Sequence, residues 1–480
     1  AFTEYFTVPA VVVEVDHTYR VRVRHKDNTG RWSRWSPPFE FRPDPADLAG
    51  DLRGNLVFSE IMYNPPGQGG TDGDEFEFVE LKNIGSATLD LSGLYFSSGI
   101  TFTFTNGARL APGALFLLGR NAAALQSRYP GVVVKGIYSG KLNNDGEELT
   151  VRHPSVGVIL SVTFQDRAPW PVAADGFGFS LVLADPLAGS YQASAARLGS
   201  PGVYQPAGGP GGVVINEVLS SSSSPWRDTI ELQNIAATNV DLSGWYLTDN
   251  PSYPWKYRFP GGVSLAPGEF LTVDESQFNP TPGVGVSFAL SSFGDDVYLF
   301  SADAAGLTGY SHGFSFGGAP DGVSFGRHLN SAGEEHFVLQ TRLTFTETNS
   351  GPRVGPVVIN EIQYHPRPEG GEFLELKNLT ASAVPLYDPE FPTNRWQVSG
   401  LGFVFPANIS IPAQGYVLLV SGDPAAFRAR YQVPDPVVIL PFLGGLQDSG
   451  EKLELLVPDR PADNGRSEER RVGKECRSRW

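Results

Sequence analysis

Three stretches of the chain repeat one ordered series of short landmarks, and no other feature of the sequence limits the possible folds as strongly. The series opens on Val57-Phe58-Ser59-Glu60-Ile61-Met62-Tyr63-Asn64-Pro65, on Val214-Ile215-Asn216-Glu217-Val218-Leu219, and on Val358-Ile359-Asn360-Glu361-Ile362-Gln363-Tyr364-His365-Pro366. A second segment follows each opening: Glu77-Phe78-Val79-Glu80-Leu81-Lys82-Asn83, Thr229-Ile230-Glu231-Leu232-Gln233-Asn234 and Glu372-Phe373-Leu374-Glu375-Leu376-Lys377-Asn378. Next come Leu89-Asp90-Leu91-Ser92-Gly93 and Val240-Asp241-Leu242-Ser243-Gly244, degraded in the third copy to Val384-Pro385-Leu386-Tyr387-Asp388. Leu110-Ala111-Pro112-Gly113 returns as Leu265-Ala266-Pro267-Gly268 and, loosely, as Ile411-Pro412-Ala413-Gln414-Gly415. The series closes on Gly146-Glu147-Glu148-Leu149, Gly294-Asp295-Asp296-Val297 and Gly450-Glu451-Lys452-Leu453. The copies begin about 150 residues apart, several times the length of a solenoid unit, so each is expected to be an independent domain with its own core.

Within each copy, short apolar runs of strand period are bounded by Gly, Pro, Asn and Asp, which predicts an all-β chain of sandwiches. In Glu77–Lys82 the side chain of Phe78 lies on the face opposite Val79 and Leu81, so that strand is expected to be covered on both sides. Only Ala122–Tyr129 and Ala425–Tyr431 read as helical, at equivalent places in copies one and three, after Asn121 and Asp423 as N-caps. Copy two carries Asp274-Glu275-Ser276-Gln277-Phe278-Asn279-Pro280 there instead.

The order of these landmarks resembles the lamin-tail domain, an immunoglobulin-like β-sandwich. The resemblance rests on the opening strand, the Glu-rich second strand ending in Asn, the Asp-Leu-Ser-Gly and Leu-Ala-Pro-Gly turns, and the late Gly-Asp/Glu turn. It implies tandem sandwiches at 54–202, 213–348 and 357–465, the third truncated, with connectors at 43–53, 203–212 and 349–356. Residues 1–42 are similar to the last part of a fibronectin type III domain. There Tyr19, Val21 and Val23 are expected to face a core, while Arg20, Arg22 and Arg24 interleave with Trp32 and Trp35. Residues 466–480 resemble the in-frame translation of a sequencing adapter and are set aside as non-native. The chain opens at Ala1 on β-type sequence, so it is expected to be a fragment of a longer protein.

The net charge of −16 argues against a nucleic-acid backbone as partner, and no apolar run is long enough to span a bilayer. The single cysteine, Cys476, lies in the tail set aside, and a chain without cysteine suits an exported bacterial surface protein.

Several groups invite a chemical reading. Glu60, Glu217 and Glu361 recur, with Glu80, Glu231 and Glu375 placed to pair with them. Catalytic carboxylates need a cleft and a partner at a set distance, whereas carboxylates bonded to backbone at strand ends need neither, and the second reading is preferred. Asp72, Asp74, Asp145, Glu147, Asp295 and Asp296 offer oxygen ligands to calcium, without the bidentate glutamate of an EF-hand loop. Asn, Asp and Gly are also what hairpin turns demand. The histidines His17, His25, His153, His312, His328, His336 and His365 show no zinc spacing. Ser220–Ser224 reads as a solvated loop. Trp245, Tyr246, Tyr253, Trp255 and Tyr257 offer rings to a sugar, although Trp245 and Tyr246 sit on a repeated strand and are expected in the core.

No cofactor and no catalysis are expected. The function expected is an extracellular or cell-surface adhesion or spacer array facing an unidentified protein or glycan surface. The alternatives are an accessory region of a secreted or surface enzyme, since bacterial lamin-tail domains resemble modules attached to hydrolases, nucleases or spore-coat-type kinases, and modules that bind calcium or carbohydrate.

Overall fold

The computed structural model describes residues 17–24, 26, 31–42, 50–185, 189–194, 198–201, 211–223, 226–331, 333–366, 370–448 and 450–458. The chain is all-β: strands dominate every copy, and among the described residues three short α-helices interrupt them.

In copy one, a six-stranded sheet runs in the order Ser190–Ala193, Leu181–Asp185, Leu56–Met62, Phe78–Asn83, Leu115–Gly119, Gly136–Ile137. A three-stranded sheet, Gly157–Gln165, Gly146–His153 and Tyr95–Ser98, closes over it. Val79, Leu81, Phe96, Leu149 and Phe164 meet in the core between them. Copy two repeats the plan with Phe270–Asp274, Thr229–Asn234, Val213–Leu219, Phe325–Leu329 and Glu335–Leu339 against Tyr257–Arg258, Tyr246–Thr248, Gly294–Asp303 and Gly306–Gly317. Copy three has Val357–Gln363, Phe373–Asn378, Tyr416–Ser421 and Val438–Phe442 against Phe403–Val404, Gln397–Ser399 and Glu454–Leu456.

Phe78 is buried on the far side of its sheet, and its cover is a helix. Ala122–Arg128, capped by the Asn121 side chain, sets Leu125 against Phe78, with Tyr129 edge-on to the ring at 6.2 Å. This helix is the crossover that lets Gly136–Ile137 pair in parallel with Leu115–Gly119, a connection no tight hairpin can make. Pro424–Tyr431 does the same for Val438–Phe442, and its Phe427 packs on Phe373. Copy two has Thr229 at that position, with little apolar surface to cover. Its helix is one turn, Glu275–Phe278, where the sequence pattern predicts none; Asp274 and Gln277 close a capping box around it.

Two connectors begin or end inside a copy. Leu52 is buried in the first core, and the Arg53 guanidinium donates to Val156 O and Val158 O, so residues 51–53 belong to copy one. Asn349 Nδ2 donates to Asn216 O and Arg327 O at 3.0 and 2.9 Å, which places the start of 349–356 within copy two. Residues 203–210 and 466–480 lie outside the described residues.

Copies one and two are also less independent than their spacing suggests. Val172, Ala173, Phe179 and Ala193 of the first pack with Tyr298 and Phe300 of the second in one apolar cluster. Phe177 bridges it, edge-on to Phe300 at 5.9 Å and to Trp255 at 5.8 Å.

At the N-terminal side, Tyr19–Val21 pairs antiparallel with Phe39–Phe41. The Arg24 guanidinium lies 4.1 Å from the ring of Trp32 and 4.5 Å from that of Trp35. Arg20 instead forms an ion pair with Glu40. Tyr19 stacks on Phe41 and Val21 is half-buried, but Val23 is exposed rather than part of a core.

Candidate functional site

The repeated glutamates carry a hydrogen-bonded polar arrangement that recurs among the described residues of all three copies. In all three copies the opening strand shifts register just before its glutamate, a bulge that sets Glu60 opposite Glu80, Glu217 opposite Glu231 and Glu361 opposite Glu375. The residue inside the bulge binds the second acid. Ser59 Oγ donates to Glu80 Oε1 at 2.8 Å, Asn216 Nδ2 to Glu231 Oε1 at 2.9 Å, and Asn360 Nδ2 to Glu375 Oε1 at 2.6 Å.

The first acid reaches further along the chain. Glu60 accepts from the Ser180 hydroxyl, from Ser200 N at 2.8 Å and from Ser200 Oγ at 3.1 Å. Glu217 accepts from Ser324 Oγ at 2.5 Å, Thr344 N at 3.0 Å and Thr344 Oγ1 at 2.7 Å. Each carboxylate thereby ties the first strand to the last hairpin and to the segment beyond it. Burial holds the Glu60 carboxyl above its ordinary pKa, against the lowering effect of its serine donors. Burial pushes Glu231 up to about 7, opposed by bonds from Thr346 N and Asn216. Glu60 and Glu217 are 2% and 0% exposed, and neither opens onto a cleft that a substrate can enter.

A second acid recurs one strand on. Glu77 Oε2 accepts from Leu142 N at 2.9 Å and Tyr138 OH at 3.1 Å, and burial raises its pKa to about 7. Glu372 Oε2 accepts from Leu446 N at 2.9 Å in copy three. In copy two the counterpart is Asp228, raised to about 6 by burial, which accepts from Ser222 Oγ. The serine run is therefore only partly solvated: Ser220 and Ser221 are buried and Ser222 is engaged, while Ser224 lies outside the described residues.

The calcium candidates do not converge. Asp72 caps the turn Gly73–Phe76, and Asp74 lies between two cations, 3.2 Å from Arg120 and 3.3 Å from Lys141. Glu147 Oε1 accepts from Asn143 N and Asp295 Oδ2 from Ser291 N, both at 2.9 Å, and Glu451 Oε1 repeats the bond with Gln447 N at 3.0 Å. The late Gly-Asp/Glu landmark is thus a self-closing turn. Its glycine has positive φ at Gly146, Gly294 and Gly450, and a Cβ on Gly146 would come within 2.4 Å of Phe164 O. Asp145 N donates to Asn143, and the Ser315 hydroxyl donates to Asp296. Among the described residues no three His, Cys, Asp or Glu side chains gather as a metal site would require. His312 accepts from Ile215 N at Nδ1 and meets Glu335 through Nε2, His153 accepts from Ser155 N, and His365 pairs with Asp448; His25 lies outside the described residues.

The remaining landmarks are also internal fastenings. Asn83, Asn234 and Asn378 are fully buried, and each Nδ2 donates across the adjoining turn, to Leu110 O, Leu265 O and Ile411 O. Asp90 and Asp241 accept from the N–H of Ser92 and Ser243. Of the rings offered to a sugar, Trp245 is buried in the core, Tyr246 packs at the seam and Tyr257 is half-buried beside Phe259. Tyr253 and Trp255 are exposed at the seam's rim.

Sequence reasoning missed the distant donors. Their signal was present: Gly178-Phe179-Ser180 and Gly322-Val323-Ser324 share a spacing, and Ser200 and Thr344 each lie twenty positions beyond the serine.

Residues 51–166 and 206–313 match the family model for the Lamin Tail Domain. No curated protein and no solved structure matches the chain.

Proposed function

The chain carries lamin tail domains in tandem, and from that premise we propose that it serves as a non-catalytic array, holding a partner or a neighbouring module at a fixed separation on an extracellular surface. The observation that supports this most directly is where the repeated polar residues are spent. Every repeated Glu, Asp and Asn of copies one and two closes a turn or ties strands of its own domain, and none is presented in a cleft. Loops are left free to vary on a closed core, which suits a spacer or adhesion module. The seam adds a second property, since Phe177, Phe179 and Phe300 join two sandwiches into one longer unit. Among the described residues no helix is long and apolar enough to cross a membrane.

The test is a ligand titration of the whole chain followed by thermal melting, with Ca²⁺ and a glycan panel as probes, combined with force spectroscopy. The array reading expects unchanged melting with every probe and a joint extension event for the first two copies. A rise in Tm of several degrees with Ca²⁺ or with one glycan would replace it with a ligand-binding role.

A further inference from the structure

One histidine of copy two is built into the wall between its two sheets. Tyr310, Phe314 and Phe316 of the strand Gly306–Gly317 pack in the core, and His312 alternates with them on that strand, opposite Leu299. Its Nδ1 accepts from Ile215 N at 3.0 Å, and its Nε2 lies 2.9 Å from Glu335 Oε1. A backbone amide can only donate, so Nδ1 carries no proton, and the proton of the neutral ring is on Nε2, given to Glu335. Arg327 Nε donates to the same carboxylate oxygen at 2.8 Å. Burial works to raise the Glu335 carboxyl, but its bonds to His312 and Arg327 outweigh it and hold the group below its ordinary range, so it stays charged. Among the described residues, the opening strand meets the ring with the Ile215 N–H and Gly294–Asp303 with Leu299, while the last hairpin brings Arg327, Glu335 and the edge-on ring of Phe337 at 5.9 Å. Beside it on its own strand, Tyr310 OH donates to Val213 O at 2.8 Å, and burial pushes that phenol above its ordinary range.

Copy one carries apolar groups in these places. Leu160 lies opposite Val151 as His312 lies opposite Leu299, and the register of the last hairpin sets Leu183 where copy two has Arg327. We propose that His312 makes the opening strand of copy two an acid-released fastening. Imidazole is the side chain that gains a proton as pH falls from about 8 to about 5. In His312 that proton can go only to Nδ1, which then turns from acceptor to donor and meets the Ile215 N–H donor against donor. With the side chain only 14% exposed, water has little access to take either partner's place. Attraction of the charged ring to Glu335 gives the amide no new acceptor, and Arg327, already on that carboxylate, repels the added charge. Ring and amide therefore part, which loosens the strand where the chain enters copy two. The strand Gly306–Gly317 also carries the seam, since Ala173 N donates to Ser311 Oγ at 3.4 Å, so His312 stands between the joint of the two copies and the first strand of the second. The proposal stands on geometry and does not depend on the array reading.

The test follows the whole chain, labelled with nitrogen-15 in its histidines, from about pH 8 to about pH 5, reading the imidazole nitrogens and hydrogen exchange at single amides. At the upper end His312 is expected as the Nε2–H tautomer with Nδ1 accepting. Across the range the protection of Ile215 N, corrected for the intrinsic pH dependence of exchange, is expected to fall about tenfold, while Phe58 N, its counterpart in copy one, shows no such fall. Glu231 and Asp228 act in the opposite direction over much of this range, so the single amide, and not the melting of the whole copy, is the readout. His312→Asn offers Oδ1 to Ile215 N and cannot take a proton, so protection there is expected to stay level with pH. His312→Leu, which installs the copy-one residue, is expected to show low protection at every pH. A ring protonated on Nδ1 at the upper end overturns the proposal. So does an Ile215 amide whose protection holds to about pH 5, or one that loses it equally in His312→Asn. The tautomer and the exchange of the parent chain decide the matter even where a variant fails to fold.

Discussion

The opening strands of copies two and three are nearly the same text, Val-Ile-Asn-Glu-Val against Val-Ile-Asn-Glu-Ile, and the structure treats them differently. Val214–Val218 is buried throughout; Val358–Ile362 is half-buried, with Asn360 and Glu361 exposed. The strand's own sequence therefore does not decide whether its glutamate is interior. That depends on a hairpin more than a hundred residues away, which supplies both apolar cover and hydroxyl donors. A carboxylate leaves water only where donors replace it, so the acid and its serine are one device.

The sharpest way to break the comparison is to remove the same group from both copies. Glu217→Ala strands Ser324 Oγ, Thr344 N and Thr344 Oγ1 in a buried place and is expected to destabilise copy two by about 3 kcal/mol. Glu361→Ala is expected to change copy three by less than about 0.5 kcal/mol. Hydrogen exchange read separately over 213–219 and 357–363 compares the two. Equal losses would mean that Glu361 is as engaged as Glu217.

Acidity sharpens the contrast. The folded pKa of Glu231, about 7, lies above the ordinary carboxyl value of 4.5, so the native state binds the extra proton. Its contribution is fully present below about pH 4.5 and is lost as pH rises through about 7. Glu77 acts in the same direction in copy one, and Asp228, raised to about 6, does so in copy two. Protection of copy two should fall across that window, and Glu231→Gln should flatten the fall by roughly 2 kcal/mol. Gln forgoes one of the two bonds to Asn216 and Thr346, so the variant starts from a lower stability; the slope is the diagnostic quantity. An unchanged slope would remove Glu231 from the account.

How much of this was legible in the sequence follows from the range of each interaction. The landmarks were visible because their bonds are local: Asn143 to Glu147, Asp241 to Ser243 and Asp274 to Gln277 each close within four residues, although the last was not read as a helix. The strand with two covered faces was legible from Phe78 alone. The partners of Glu60 lie 120 and 140 residues away, beyond the reach of any local pattern, and only the Gly-x-Ser spacing shared by two copies points to them. The seam was missed for the same reason. Its residues, Phe177, Phe179 and Phe300, lie in separate copies, and their spacing carries no pattern that says which face meets which.

The seam offers a smaller test. Phe177→Ala removes the ring that bridges Phe300 and Trp255 and is expected to cost about 1–2 kcal/mol of coupling between copies one and two. Exchange should rise over 172–179 and 306–311 while 213–219 keeps its protection, and the radius of gyration from solution scattering should grow. Loss of protection in 213–219 would mean that the seam is part of the second core rather than a joint.

The smallest expected effect returns to copy three. Gly113 and Gly268 have positive φ in the Leu-Ala-Pro-Gly turn, and copy three puts Gln414 there with φ 57°. A Cβ in that region costs up to about 1 kcal/mol, so Gln414→Gly should stabilise the turn. Two terms oppose it: the unfolded chain gains freedom with Gly, and Gln414 Nε2 gives up its bonds to Leu379 O and Thr380 O at 2.8 and 3.1 Å. Both bonds are exposed, so water replaces most of what they contribute. The net gain expected is about 0.5 kcal/mol, read as slower exchange at Asn378 N, which donates to Gly415 O in this turn. A net loss would mean that the glutamine amide, and not the backbone, fastens the turn in copy three, so that this copy had replaced a glycine device with a side-chain one.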